Sequence, residues 1–263
     1  MVTQTAKDGH EVVLSLAISP MHDSKGNRQG VIGLGQDVTE QVRLHERLVD
    51  SYKRIRNIQG ASIFALAKLA EARDGETGSH LKRLQAYCEC LCRKLAQRPM
   101  YRRMFTEEYI LDLVQCSVLH DIGKLVIPDT ILFHPGKFSE EDFDTMKLHA
   151  VYGGKALEEA AIEAGEGQSY LTLGRDVCYY HHERWDGSGY PFGLKGENIP
   201  LAARIVSVAD VYDALTTERR YKPAFSHKEA YKVIVQGSGK QFDPEVVAAF
   251  IEAGTDFIRI SNS

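Results

Sequence analysis

The chain has 263 residues, of which 43% are hydrophobic and 26% are charged, a composition typical of soluble globular proteins. Its net charge of −4 excludes the generally basic surface with which proteins bind long nucleic acids, so an anionic ligand would need a local cluster of cations or metal ions. No uninterrupted apolar run reaches the ~18 residues of a membrane span, and residues 1–10 lack the apolar core of a signal peptide, which predicts a cytoplasmic protein without a membrane segment.

Cysteine spacing argues against a disulfide framework and against a zinc site. Cys88, Cys90 and Cys92 lie two residues apart, and on a helix this spacing points the side chains in different directions. The total of five is also odd. We therefore expect reduced cysteines.

The first 38 residues are typical of β structure. Residues 10–19 and 28–38 are apolar runs rich in β-branched residues, and the turn sequence Asp23–Asn27 separates them, so they predict an antiparallel hairpin. Two strands alone are marginally stable in water, so the hairpin should belong to a larger sheet or need a partner.

At Thr39, a plausible N-cap, the periodicity becomes helical and predicts one helix over residues 39–72. Apolar and histidine positions recur at spacings of three or four residues, the pattern of a helix that pairs with another. These positions are Val42, His45, Leu48, Tyr52 and Ile55. A parallel homodimer through this helix is therefore predicted.

Residues 73–258 are predicted to be almost wholly helical, with Thr106, Ser139 and Asp243 as N-caps and loops at 133–137 and 186–200. The predicted fold class is mainly α, with a small N-terminal β-hairpin and a long connecting helix. The predicted organisation is a β region at 1–38, a signalling or dimerisation helix at 39–72, a catalytic domain at 73–258 and a tail at 259–263.

Histidines and acidic residues in the helical part form the strongest chemical signal. Glu76 and His80 are four residues apart and would share a helix face, while Asp210 lies in the otherwise apolar segment VSVADVYDAL. The remaining candidates are His120, Asp121, His149, His181 and His182. Imidazole and carboxylate groups suit iron, manganese, nickel or zinc, so a multinuclear metal site is predicted.

Each of these residues also has a structural interpretation. A single helical histidine is more often packed or exposed than a metal ligand, and Asp210 could be a buried, hydrogen-bonded carboxylate. The structural interpretation is kept for His10, His22, His45, His134 and His227.

A cluster of cations ~3.5–4 Å apart activates water and stabilises charge during attack on a phosphodiester. The Asp121 carboxylate could be shared by two cations, and Lys124 could contact a phosphate oxygen as a compact charge. Asp121 and Lys124 are therefore the candidate catalytic residues.

Three segments carry a family resemblance: HDIGK (120–124), HHERWDGSGYP (181–191) and GLKGENIPLAARIVSVADVYDALTTERRYKP (193–223). Together they resemble the HD-GYP family, a branch of the HD phosphohydrolase superfamily. The resemblance implies a helical HD-type domain that hydrolyses cyclic di-GMP to linear pGpG and in some members to GMP. By motif position it implies the metal ligands His80, His120, Asp121, His149, His181, His182 and Asp210.

The resemblance also implies the cofactors. Glu76, four residues before the first ligand histidine, is similar to the carboxylate of members that hold three metals, so two or three divalent ions are expected, with iron favoured and manganese as the alternative.

Substrate contacts are implied in the loop that names the family and in the segment that follows the Asp210 helix. The candidates are Lys124, Trp185, Asp186, Tyr190, Arg219 and Lys222. The alternative is that the loop only shapes the rim of the site and that the basic residues are solvated. Residues 159–175 contain glycines and are predicted to form a variable loop.

The segment DGHEVVLSLAISPMHDSKGNRQGVIGLGQDVTEQ is similar to the C-terminal half of a PAS domain. Half of a PAS domain cannot enclose a cofactor, so no haem or flavin is expected. A stand-alone dimerisation hairpin is the alternative.

Two alternatives to cyclic di-GMP hydrolysis remain open. The domain could bind a cyclic dinucleotide and report it with slow or no turnover, or it could hydrolyse a mixed cyclic GMP-AMP dinucleotide.

Overall fold

The computed structural model describes residues 2–5, 7, 9, 11–74, 79–134, 136–165, 169–218 and 223–262. The chain divides into two units, residues 1–59 and 60–263. Its strands are β1 (Val2–Thr5), β2 (Glu11–His22) and β3 (Arg28–Asp37). Its α-helices are α1 (Thr39–Asp74), α2 (Ser79–Leu95), α3 (Glu107–Ser117), α4 (Asp129–Leu132), α5 (Glu140–Ala164), α6 (Ser169–Tyr180), α7 (Leu201–Thr216), α8 (His227–Gln236), α9 (Pro244–Glu252) and α10 (Gly254–Ser261).

Two short 3-10 helices cover Ile122–Val126 and Gly196–Asn198. The predicted mainly α fold class is confirmed. None of the helices in the described ranges has the length and hydropathy required to cross a bilayer.

The N-terminal unit contains an antiparallel sheet with the strand order β1-β2-β3. The predicted hairpin is present as β2 and β3, and Asp23 Oδ1 accepts hydrogen bonds from the amides of Lys25 and Asn27 in its turn. The sequence prediction missed β1, which pairs Val2 with Leu14. Because β1 has the polar sequence VTQT, it lacks the apolar run by which a strand is recognised.

Helix α1 begins at Thr39, but this residue is not the N-cap that the sequence suggested. The Thr39 hydroxyl accepts a hydrogen bond from the Val13 amide, while Asp37 Oδ1 accepts one from the Thr39 amide. The hydroxyl therefore ties the helix to β2 instead of closing the first helical turn. The helix ends at Asp74, two residues beyond the predicted boundary.

Two sequence-based boundaries in the C-terminal unit were wrong. The loop predicted over 159–175 is largely helical, because α5 continues to Ala164 and α6 begins at Ser169. Of the tail predicted over 259–263, residues 259–261 belong to α10, whose Phe257 is fully buried. Glycine content misled the first boundary, and the shortness of α10 misled the second.

Helices α2 and α7 form the centre of the C-terminal unit. Helix α7 is buried on nearly every side, and α2 packs against it through a buried face that includes Leu84 and Tyr87. The Tyr87 ring contacts the rings of Tyr212 on α7 and Phe257 on α10. This packing holds His80 on α2 and Asp210 on α7 within a rigid core.

Gly123 allows an unusually close approach between the first 3-10 helix and α5. A Cβ atom at this position would lie 1.9 Å from the His149 carbonyl oxygen and 2.6 Å from the Gly153 amide nitrogen. No side chain fits at these distances, so only glycine lets the segment after Asp121 lie against the helix that carries His149.

We predict that Gly123→Ala lowers the free energy of unfolding of the metal-free protein by about 1–3 kcal/mol, because the methyl group overpacks this contact. Urea denaturation followed by fluorescence of Trp185, the single tryptophan, would measure the loss. Gly254→Ala is the control, since no heavy atom lies within 4 Å of its Cβ position. Equal stability of the two variants would contradict the prediction.

Candidate metal centre

Backbone carbonyl groups orient three of the predicted histidine ligands. The Nδ1 atoms of His120, His149 and His181 lie 3.1, 2.6 and 2.9 Å from the carbonyl oxygens of Ser117, Met146 and Val177, respectively. Because a carbonyl only accepts, Nδ1 carries the proton and donates. The Nε2 atom of each ring is then the available metal donor.

One group of candidate ligands comprises Asp121, His149, His181 and His182. One donor atom from each lies within 4.8 Å of the donors of the others. Asp121 Oδ1 is 3.3 Å from His149 Nε2 and 3.7 Å from His181 Nε2. We call this group the Asp121 cluster.

A second group comprises His80, His120 and Asp210, again with donor atoms within 4.8 Å of one another. Asp210 Oδ1 lies 3.8 Å from His80 Nε2 and 3.8 Å from His120 Nε2. We call this group the His80 cluster. His80 lies on α2, His120 lies in the turn that follows α3, and Asp210 lies on α7. These three segments are distant in sequence.

The Asp121 carboxylate faces both clusters. Its Oδ1 atom faces His149 and His181, and its Oδ2 atom is 3.3 Å from His120 Nε2. Lys124 Nζ lies 2.8 Å from Oδ2. The geometry therefore suits a carboxylate shared between two cations, with a lysine beside it.

The buried donor atoms fit divalent metals. The Nε2 atoms of His120, His149 and His181 and Oδ1 of Asp121 are buried and make no hydrogen bond within the described part of the chain. A buried polar atom without a partner costs about 1–3 kcal/mol, so four in one place indicate that a ligand completes them. Neutral imidazoles and carboxylates are the donors that iron, manganese and zinc accept.

Electrostatics differs between the two clusters. Burial lowers the pKa of His149 to about 4. The pKa of His182 is also lowered, first by burial and then by the neighbouring rings of His181 and His149. Both rings are therefore neutral at pH 7. Burial opposes the charged form of His120, but Asp121 and Asp210 outweigh it and raise its pKa to about 9. Burial also acts to raise the pKa of Asp121, but Lys124 and His120 hold it well below its ordinary value.

The His80 ring is oriented by Asp213, which sequence reasoning missed. Asp213 Oδ2 lies 2.6 Å from His80 Nδ1, and the carboxylate also accepts hydrogen bonds from the Arg83 guanidinium. A carboxylate behind a ligand histidine fixes its orientation and makes the opposite nitrogen more basic. The available signal was a second aspartate one helical turn after Asp210 in an apolar helix.

Glu183 organises the loop of residues 186–200. Its buried carboxylate accepts hydrogen bonds from the amides of Phe192, Gly193 and Leu194. Gly189 is also required, because a Cβ atom there would lie 2.3 Å from the Arg184 amide nitrogen. The glycine and the carboxylate together fold the loop back towards the histidines.

This loop places Tyr190 beside the metal cluster. The Tyr190 ring centroid lies 4.6 Å from that of His182, and the Tyr190–Pro191 peptide bond is cis. Phe143 on α5 packs edge-on against the Tyr190 ring. The Nζ atom of Lys147 lies 4.6 Å from the centroid of the Phe143 ring and 5.9 Å from the centroid of the Tyr190 ring. Sequence reasoning missed Phe143 and Lys147, since neither stands in a motif.

Two other predicted substrate contacts, Trp185 and Asp186, make contacts in and beside the loop. Trp185 lies under the guanidinium of Arg204, and its amide donates to the Gln241 carbonyl. Asp186 accepts hydrogen bonds from the amide and hydroxyl of Ser188. These contacts give both residues a role in shaping the loop.

Three predicted site residues, Glu76, Arg219 and Lys222, lie outside the described residues.

We predict that Asp213→Asn weakens divalent-metal affinity by about 10–100-fold, because His80 loses the carboxylate that orients it. Titration of the metal-free protein with Mn²⁺ against a competing chelator would measure the change. Asp176→Asn is the control, since Asp176 likewise accepts hydrogen bonds from an arginine, Arg175. Unchanged affinity in a folded Asp213→Asn protein would show that Asp213 does not orient a ligand.

Comparison with known proteins identifies relatives in Vibrio cholerae. The chain is 47% identical over 204 residues to a protein named "Probable cyclic di-GMP phosphodiesterase", covering 78% of this chain and 46% of that protein. It is 44% identical to a "Cyclic di-GMP phosphodiesterase", covering 83% and 45%, respectively. It is 35% identical to "3'3'-cGAMP-specific phosphodiesterase 2", covering 76% and 36%. The chain thus spans about half or less of the length of these curated relatives.

The family model described as HD domain matches residues 65–246, a range that contains every histidine and carboxylate of the two clusters. The chain belongs to the HD domain family.

Proposed function

We propose that the chain is a metal-dependent phosphodiesterase that hydrolyses cyclic di-GMP to linear pGpG or GMP. The observation that carries this proposal is the partly buried Asp121 carboxylate, which faces one group of imidazoles through each oxygen. The names of the Vibrio cholerae relatives supply the substrate class.

The Asp121 cluster and the His80 cluster would each hold a cation, with Asp121 as the shared ligand. Bound divalent cations would polarise a phosphate oxygen and lower the pKa of water, which provides the nucleophile for in-line attack on the diester. Iron is the proposed metal and manganese the alternative. A third ion would use Glu76, which the sequence places four residues before His80.

The residues of this chain supply binding and charge around the ions. Lys124 holds an ammonium group beside Asp121 and is positioned to offset charge on a phosphate oxygen. Tyr190 and Phe143 present aromatic surface for stacking of a base, and Lys147 adds a hydrogen-bond donor and a positive charge there. Arg219 and Lys222 remain proposed phosphate contacts.

Activity should require the Asp121 cluster. With iron or manganese under anaerobic, reducing conditions, the wild-type chain should convert cyclic di-GMP to pGpG or GMP, detected by chromatography. Asp121→Ala and His181→Ala should each lower kcat/KM at least about a hundredfold, because each removes a donor on which the charge stabilisation depends. His134→Ala is the matched control, since His134 is exposed and outside both clusters.

Full activity in Asp121→Ala or His181→Ala would exclude the metal mechanism. Tight cyclic di-GMP binding without product in the metal-loaded wild type would favour a receptor instead. Competition between cyclic di-GMP and 3'3'-cGAMP would identify the preferred dinucleotide, because one relative is named for the mixed substrate.

We further propose that residues 1–38 derive from the C-terminal half of a PAS domain and that α1 forms a parallel homodimer. Support comes from the exposed side chains of the heptad positions, with Leu48 68%, Tyr52 54% and Ile55 54% exposed in the single chain. Exposed large apolar residues at these spacings are typical of a helix with a partner.

We expect a dimer by light scattering at micromolar concentration and a monomer for Leu48→Glu, because a buried charge at the seam opposes pairing. Asn57→Glu is the control, since Asn57 is also exposed but lies two residues after Ile55, on the other side of the helix. A wild-type monomer, or loss of the dimer in both variants, would contradict pairing through the seam.

A further inference from the structure

One arginine on α2 connects two parts of the candidate site. Arg83 lies three residues after His80, and its guanidinium donates hydrogen bonds to Asp213 and to Thr217. We propose that Arg83 is a positioning residue that holds the His80 ring and the C-terminal end of α7 in a fixed relation. This inference rests on the proposed function, since it requires a cation at the His80 cluster and substrate contacts after α7.

The first contact of Arg83 is a two-pronged hydrogen bond to a buried carboxylate. Nε lies 2.6 Å from Asp213 Oδ1, and Nη2 lies 2.9 Å from Asp213 Oδ2. Two such bonds from a planar guanidinium fix the plane of the carboxylate, which a single ammonium group does not. Because Oδ2 is also the atom 2.6 Å from His80 Nδ1, the direction of the His80 ring depends on Arg83.

The second contact lies where α7 ends. Arg83 Nη2 also donates to the Thr217 hydroxyl at 2.9 Å. Thr217 is the C-cap of α7, and its amide donates to the backbone carbonyl of Asp213 while its hydroxyl lies 3.3 Å from Asp213 Oδ2. Arg83 and Asp213 together therefore hold the last residue of the helix end.

This helix end flanks the segment that contains two of the proposed phosphate contacts. Thr217 precedes Arg219 by two residues, and Phe225 follows Lys222 by three. The Phe225 amide donates to the Leu215 carbonyl at 2.8 Å, so the chain is bonded to the end of α7 on both sides of this segment. Since a few residues span only a limited distance, the contact at Thr217 restricts where Arg219 and Lys222 can reach.

A purely structural role is the alternative. Arg83 would then stabilise the packing of α2 against α7 without a specific effect on metal binding or on the segment after α7. Two different readouts, one for each contact, distinguish this alternative from the positioning role.

The first test measures Mn²⁺ binding to the full chain after removal of metals with a chelator. We expect Arg83→Met to bind one Mn²⁺ per chain at least about tenfold more weakly than the wild type, because the carboxylate behind His80 loses its orientation. Arg83→Lys, which keeps the charge but not the two-pronged bond, should lie between the two. Arg175→Met is the matched control, because Arg175 also bonds a carboxylate, that of Asp176, through Nε and Nη2.

A double variant separates positioning from a general loss of stability. If Arg83 acts on His80 only through Asp213, adding Arg83→Met to Asp213→Asn should weaken Mn²⁺ binding by no more than about twofold further, because residues that act in one network are not additive. Independent effects of the two substitutions would multiply, and that result would overturn the positioning role.

The second test is limited trypsin digestion of the metal-free protein, with the cleavage sites identified by mass spectrometry. Trypsin can cleave after Arg219 and Arg220, whereas Pro223 blocks cleavage after Lys222. We expect Arg83→Met to be cleaved after Arg219 or Arg220 at least about threefold faster than the wild type, because the end of α7 opens more readily.

Thr217→Val removes only the second contact. It should be cleaved faster at the same two sites while its Mn²⁺ affinity stays within about twofold of the wild type, since the bonds from Arg83 to Asp213 remain. Arg175→Met should match the wild type in both readouts.

Wild-type Mn²⁺ affinity or a wild-type cleavage rate in a folded Arg83→Met protein would overturn the inference while leaving the proposed function intact. If Arg83→Met does not fold, either result in Arg83→Lys overturns it. A wild-type chain that binds no Mn²⁺ or Fe²⁺ would overturn the proposed function together with this inference.

Discussion

One partly buried carboxylate lies at the centre of the candidate metal site. Asp121 lies between two sets of imidazoles, and Lys124 and His120 keep its pKa well below the ordinary value, although burial opposes this. A buried negative charge with open coordination positions is unfavourable unless cations complete it. The helices that surround it can therefore be understood as a frame that holds ligands at fixed distances from this group.

Residues outside the two clusters help to hold that frame in place. Gly123 lets the Asp121 segment lie against α5, Asp213 orients His80 through its far nitrogen, and Glu183 gathers three backbone amides so that Tyr190 lies against His182. Each of these residues acts on a ligand or on its neighbour. The geometry of the centre thus depends on residues that would not themselves bind an ion.

Sequence patterns predicted the fold class and singled out the seven residues of the two clusters, because both are encoded in chemistry or periodicity that local segments display. Histidine–carboxylate motifs stand out against an apolar helix, as Asp210 does in α7. Supporting residues could not be found in this way: Asp213, Phe143 and Lys147 acquire meaning only when α7 meets α2 and α5 meets the loop. The sequence did not predict strand β1 for a similar reason: its polar residues form a strand only because they pair with β2.

The carbonyl groups that hold His120, His149 and His181 belong to residues only three or four positions earlier in the chain. Each imidazole is thus locked to its own backbone turn, and ring direction is a local property of that turn. If α5 slid or tilted, the His149 ring would move together with the helix. Its orientation relative to the helix would stay the same, while its distance from Asp121 would change. Small helix movements would thereby change the distance between donor atoms. That distance determines which size of cation fits the site and how tightly the cation binds.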